Sequence, residues 1–180
     1  KFAVSKQEIM TTEELTQEAV SLLQKLIATP SVSRDETKAA DIMQEAMESY
    51  GFTPTRVGNN LWILSKDWSD NRPTLLLNAH IDTVKPVASW TRDPFAPTIE
   101  DDTLYGLGSN DCGGGLVSLL QVFRELVNSK KPLPYNLVYL ASCEEEVSGI
   151  NGIRSVIDRL PKIDVAIVGE PTGMQPAVAE

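Results

Sequence analysis

Apolar positions recur at intervals of three and four along the first fifty residues, then give way to short continuous runs. Leu15, Ala19, Leu22, Leu23 and Leu26 line one face of a helix predicted over residues 12–28. Thr11 and Glu14 stand at capping-box spacing before it, and Pro30, which cannot continue a helix, follows it. Ser33 and Glu36 repeat the capping spacing. Ala39, Met43, Ala46, Met47 and Tyr50 then form the stripe of a second helix that ends at Gly51. Methionines on such a stripe are core packing.

Beyond Gly51, "NLWILS" (60–65) and "PTLLLNAH" (73–80) read as strands, neighbours across the turn-rich "KDWSDNR". A helix is predicted over 114–128, a strand at "NLVYLAS" (136–142), a Gly-bounded helix over about 150–159 and a last strand at "DVAIVG" (164–169). Strands alternating with helices predict an α/β fold, a sheet with helices on both faces. The unbroken apolar character of "TLLLNA", "LVYLA" and "VAIV" predicts strands buried on both sides.

Ionisable residues appear where each of these strands runs out: His80 and Asp82 after the first, Glu144, Glu145 and Glu146 after the second, Glu170 after the third. In open α/β sheets the ligand crevice lies outside the carboxyl ends of the strands, so parallel strands would bring these groups together. Asp111 adds a further carboxylate in the glycine-rich "YGLGSNDCGGG". That loop is no phosphate cradle. Asp111 occupies the third glycine position of G-x-G-x-x-G, where its charge would repel phosphate, and no Walker lysine follows. One imidazole with several carboxylates suits zinc, cobalt or manganese, and the carboxylates would repel one another without a cation. Taken singly, each residue reads more blandly: a lone histidine is usually packed, and a glutamate triplet is usually a solvated turn. Serine catalysis through His80 with Ser109 or Ser148 ranks below metal chemistry, since neither serine lies in a G-x-S-x-G elbow.

Composition narrows the partners. A net charge of −9 disfavours nucleic acid, which is bound through clustered lysine and arginine. No apolar run approaches the roughly 20 residues of a transmembrane helix, and no signal-peptide core is present, so no membrane partner is expected and a cytoplasmic setting is. Cys112 and Cys143 are too few for a disulfide framework and read as small buried residues.

Four motifs in order, "HIDTV" (80–84), "YGLGSNDCGGG" (105–115), "CEEEVSGINGI" (143–153) and "VGEPTG" (168–173), resemble those of the dinuclear zinc amidohydrolases and exopeptidases. That family includes acetylornithine deacetylase, succinyl-diaminopimelate desuccinylase and the aminoacylases. The resemblance implies a zinc-exopeptidase-like fold and two Zn2+ ions, with Co2+ or Mn2+ as alternatives. His80 and Glu170 would hold one ion, Glu146 the other, and Asp111 would bridge them. It further implies that Asp82 orients the His80 ring, that Glu145 is the general base, and that the Asp111–Cys112 peptide is cis. The expected reaction is removal of an acyl group from a small N-acyl amino acid. "GEPTG" and the acidic balance lean towards an acetylornithine-type deacetylase of arginine biosynthesis. The alternatives are a dipeptidase or aminopeptidase of the same architecture, or a non-catalytic metal-binding module.

Departures from the family pattern are equally specific. Leu107 stands where arginine is usual and Gly113 where lysine is usual. No histidine follows His80, although the family uses a second metal-binding histidine and one from an inserted lid domain. Residues 12–180 are therefore expected to be the N-terminal part of a catalytic domain, inactive as a piece, with the homodimer contacts in the absent part. Residues 1–11 are expected to be a disordered or vector-derived extension, with Met10 as the native start.

Overall fold

The computed structural model describes residues 10–129 and 131–178. Most of the expected N-terminal extension lies outside the described residues. Its last residue, Thr11, caps α1 (Thr12–Ile27): the Thr11 hydroxyl accepts from the Glu14 amide at 3.2 Å and the Glu14 carboxylate accepts from the Thr11 amide at 2.7 Å. Ala19, Leu22, Leu23 and Leu26 form its buried face. α2 (Thr37–Ser49) buries Ala39, Met43 and Met47. Its expected capping box does not form. Glu36 occupies the N-cap without a side-chain bond to the helix, because it and Ser33 are drawn away by partners distant in the chain.

The five-stranded sheet comprises β1 (Thr55–Val57), β2 (Asn60–Leu64), β3 (Thr74–His80), β6 (Asn136–Ser142) and β7 (Val165–Val168), in the order β1-β2-β6-β3-β7. A separate hairpin, β4 (Thr98–Glu100) and β5 (Thr103–Tyr105), turns through Asp101 and Asp102, both at positive φ. Sequence reading missed it for want of the glycine that usually marks such turns. β2 and β3 are not neighbours. β6, buried at every position, runs antiparallel to β2 and parallel to β3. The most completely buried strand takes the centre, where both its faces are covered. The 66–72 segment passes over the end of β6, held by the Asn136 side chain, which donates to Ser69 and Arg72 carbonyls at 2.8 and 3.2 Å.

α3 (Gly115–Asn128) links β3 to β6 and packs with α1 and α2 on one sheet face, over Leu61, Leu77, Ala79, Leu137 and Tyr139. The opposite face is covered more thinly, by Val156 and Leu160 over Trp62, Leu76, Val138 and Leu140. The helix expected over 150–159 is instead two 3-10 turns, Ile153–Ser155 and Ile157–Arg159. Ile150, Ile153 and Ile157 remain exposed, so no helical stripe meets the sheet, and the Asn151 carbonyl accepts from Asn60 Nδ2 at 2.7 Å. β7 is exposed throughout, against the expectation of two-sided burial, because among the described residues neither hydrophobic cluster extends over it at the edge of the sheet. No described helix is long and apolar enough to cross a membrane.

Candidate metal centre

β3, β6 and β7 are parallel, so their carboxyl ends open on one side of the sheet. His80 is the last residue of β3 and is 2% exposed. Its Nδ1 lies 2.9 Å from the Asp82 carbonyl oxygen. That oxygen can only accept, so Nδ1 carries the proton and Nε2 is turned outward. Around Nε2 stand Asp111 Oδ1 at 3.1 Å, Glu145 Oε2 at 3.8 Å and Glu170 Oε1 at 3.9 Å. Donor atoms of His80, Asp111 and Glu146 all lie within 4.8 Å of one another. His80, Asp111, Glu145, Glu146 and Glu170 therefore meet in one crevice, from four separated segments, with Asp82 buried behind the imidazole.

Glycine shapes the loop that delivers Asp111. Gly108, at φ 74°, approaches Thr83 so closely that a Cβ would stand 2.6 Å from its methyl group. The Asp111–Cys112 peptide is cis. A Cβ on Gly113 would meet the Gly108 carbonyl at 2.4 Å and a Leu23 methyl at 2.5 Å, so this loop is packed for glycine where the family pattern has lysine. Leu107, at the arginine position, is buried.

Asp82 does more than flank the imidazole. Its Oδ1 is 3.6 Å from His80 Nδ1 and accepts from the Glu145 amide at 3.0 Å. Its Oδ2 accepts from the Glu146 amide at 3.2 Å and the Ser33 hydroxyl at 2.7 Å. Glu144 does not join the cluster: it is buried and accepts from the Asn151 amide and side chain at 3.3 and 2.8 Å.

Cys112 was expected only as a small buried residue, yet its sulfur lies within 4.8 Å of donor atoms of His80 and Glu170. Its position next to Asp111 was the only signal in the sequence. The thiol donates to the Gly169 carbonyl at 2.9 Å, and burial pushes it up to about 12, so packing remains the better account. Neither Ser109 nor Ser148 is a hydrogen-bond partner of His80 among the described residues.

Electrostatics favour a cation. Burial disfavours the imidazolium, but hydrogen bonding and charge from Asp82 and the charge of Glu170 outweigh it and push His80 up to about 9. Burial likewise raises Asp82, and the adjacent His80 ring, with hydrogen bonds from the Ser33 hydroxyl and the Glu145 amide, reverses the sign and holds it below the ordinary carboxylate value. Glu146 is pushed up by burial and the charge of Asp111. Glu170 is pushed up by burial and then by Glu145 and Asp111, against the pull of His80. Among the described residues no lysine or arginine pairs with Asp111, Glu145, Glu146 or Glu170. An outward imidazole nitrogen among uncompensated carboxylates is a donor set that fits divalent zinc, cobalt or manganese.

Comparison with known proteins agrees with this chemistry. Residues 76–179 match the family model described as peptidase family M20/M25/M40. A succinyl-diaminopimelate desuccinylase from Delftia acidovorans is 26% identical over 170 residues, which cover 87% of this chain and 44% of that protein. An M20 family metallo-carboxypeptidase from Sulfolobus solfataricus superposes with a TM-score of 0.69 at 26% identity, over 84% of this chain and 37% of that one. A dinuclear metal-binding peptidase from Bacillus subtilis shares the fold, with a TM-score of 0.66 at 18% identity over 88% of this chain and 43% of that one. The chain thus spans less than half the length of these relatives.

Proposed function

We propose, from the premise that this chain belongs to peptidase family M20/M25/M40, that the protein is a metal-dependent amidohydrolase removing the acyl group from a small N-acyl amino acid, of acetylornithine-deacetylase type. The observation that carries this reading is the convergence of His80, Asp111, Glu146 and Glu170 on one crevice, with Glu145 3.8 Å from the imidazole. His80 and Glu170 would hold one ion and Glu146 the second, with Asp111 between them. Two zinc ions, when bound, supply Lewis acidity towards the amide carbonyl and lower the pKa of water.

The chain's own residues do the rest. The Glu145 carboxylate takes the proton of the attacking water and returns it to the departing amide nitrogen. The Asp82 backbone carbonyl fixes the His80 tautomer, and the Asp82 carboxylate holds the Glu145 and Glu146 amides, so one residue aligns ligand and base together. The net charge of −9 favours a cationic amino acid such as ornithine, which supports placing the protein in arginine biosynthesis. A homodimer is the expected assembly.

Elemental analysis and turnover test the reading. Zinc should bind and be lost in His80→Ala. Metal-loaded protein carrying this chain should hydrolyse N-acetylornithine, and Glu145→Gln should keep its metal while losing turnover by about 10²- to 10⁴-fold. Hydrolysis of dipeptides in preference to acyl amino acids would move the assignment to a dipeptidase. Bound metal with no turnover of either class would leave a binding module.

A further inference from the structure

The Ser33–Glu36 pair, at capping spacing but capping nothing, lies behind the metal centre. The segment between α1 and α2 runs beside the end of β3, with the Ser33 amide donating to the Thr83 carbonyl at 3.2 Å and the Thr83 amide to the Ser31 carbonyl at 2.9 Å. Glu36 is 1% exposed. A buried carboxylate is costly unless several donors satisfy it. Glu36 has three: the Arg34 amide at 2.7 Å, Asn59 Nδ2 at 3.2 Å and, 108 residues away, the Glu144 amide at 3.2 Å. Consecutive amides of the Glu144–Glu145–Glu146 turn are therefore each held by a carboxylate oxygen, the first by Glu36 and the next two by Asp82. Asp82 is itself fixed by the Ser33 hydroxyl at 2.7 Å.

We propose that Ser33 and Glu36 are positioning residues for Glu145 and Glu146. Glu36 fixes the start of the turn, at the one position of the triplet whose side chain is directed to Asn151 and away from the crevice. Ser33 fixes Asp82, and through it the two amides whose side chains face His80. With both anchors in place, the second and third glutamates of the triplet have one orientation relative to Asp111. This assignment rests on the reading of Glu145 as base and Glu146 as metal ligand.

Two readouts on the 180-residue chain test it: amide hydrogen exchange resolved by residue, and cobalt titration followed by calorimetry and visible absorption. Glu36→Ala and Ser33→Ala should each speed exchange at Glu144–Glu146 about 10-fold while the β6 amides stay protected, and should weaken cobalt binding about 10-fold. Ser33→Thr, which keeps the hydroxyl, should restore both. Unchanged exchange at the turn in a folded variant, or equal loosening of the turn and β6, overturns the positioning role. Should Glu36→Ala fail to fold, the Ser33→Ala and Ser33→Thr pair decides. Failure of the underlying reading looks different: Glu146→Ala would then bind cobalt as tightly as the unaltered chain, while the exchange data still decide whether Glu36 and Ser33 hold the turn.

Discussion

At the scale of the residue, His80 is set chiefly by Asp82 and Glu170. The Asp82 carbonyl accepts the Nδ1–H hydrogen bond, and the charges of the Asp82 carboxylate beside Nδ1 and of Glu170 near Nε2 favour the doubly protonated ring. The folded imidazole titrates at about 9, against about 6.5 in an unfolded chain. A group raised in this way stabilises the fold fully below its unfolded pKa and loses that contribution as pH rises through the folded one. In the presence of EDTA, urea unfolding should show stability falling by up to about 3 kcal/mol between pH 6 and pH 9.5. His80→Gln should flatten the profile, and an equal slope in that variant would contradict the assignment. The sequence pointed to His80 because it is the sole histidine and ends an apolar run. Nothing nearby revealed that Ser33 and Glu36 belong to the same site, since their partners are 49 and 108 residues away.

Among elements, the tightest crossing lies where α3 begins beside the end of β7. A Cβ on Gly115 would stand 2.1 Å from the Gly169 carbonyl oxygen. Gly169 precedes Glu170 and its carbonyl accepts the Cys112 thiol, so this crossing sets both the last carboxylate and the loop carrying Asp111. Gly115→Ala should cost about 1–3 kcal/mol by overpacking, measured by urea unfolding, and should also weaken zinc binding in calorimetry. Unchanged stability would mean that the two segments can separate freely. The Tyr139 hydroxyl donates to the Leu116 carbonyl at 2.9 Å across the buried face, and Tyr139→Phe should cost about 1 kcal/mol in the same assay. The contrast between the two capping spacings is instructive here. Thr11–Glu14 is exposed and closes on itself, so local pattern suffices. Ser33–Glu36 has the same spacing but sits beside the ends of β3 and β6, where the Ser33 hydroxyl donates to the Asp82 carboxylate and the Glu36 carboxylate accepts from the Glu144 amide.

For the whole molecule, metal binding and folding are coupled, because the converging carboxylates come from segments that only the folded chain brings together. Zinc at 100 times its dissociation constant should stabilise the chain by about 2.7 kcal/mol. At about 2–4 °C per kcal/mol for a domain of this size, calorimetry should record a rise in Tm that EDTA reverses and His80→Ala abolishes. No shift with zinc, cobalt or manganese would argue against a metal centre.

Read alone, the sequence determined which residues end the apolar runs, that two helices open the chain and a third stands between β3 and β6, and that "YGLGSNDCGGG" carries an acid where a phosphate cradle would have glycine. Such features follow from periodicity and local chemistry, which act over a few neighbouring residues. Tertiary structure alone decided that β6 separates β2 from β3, that Glu144 turns away to Asn151, and that Ser33 and Glu36 serve the crevice instead of a helix end. These depend on which strand can be covered on both faces and on where buried donors find acceptors. Both are settled only when distant parts of the chain are in contact.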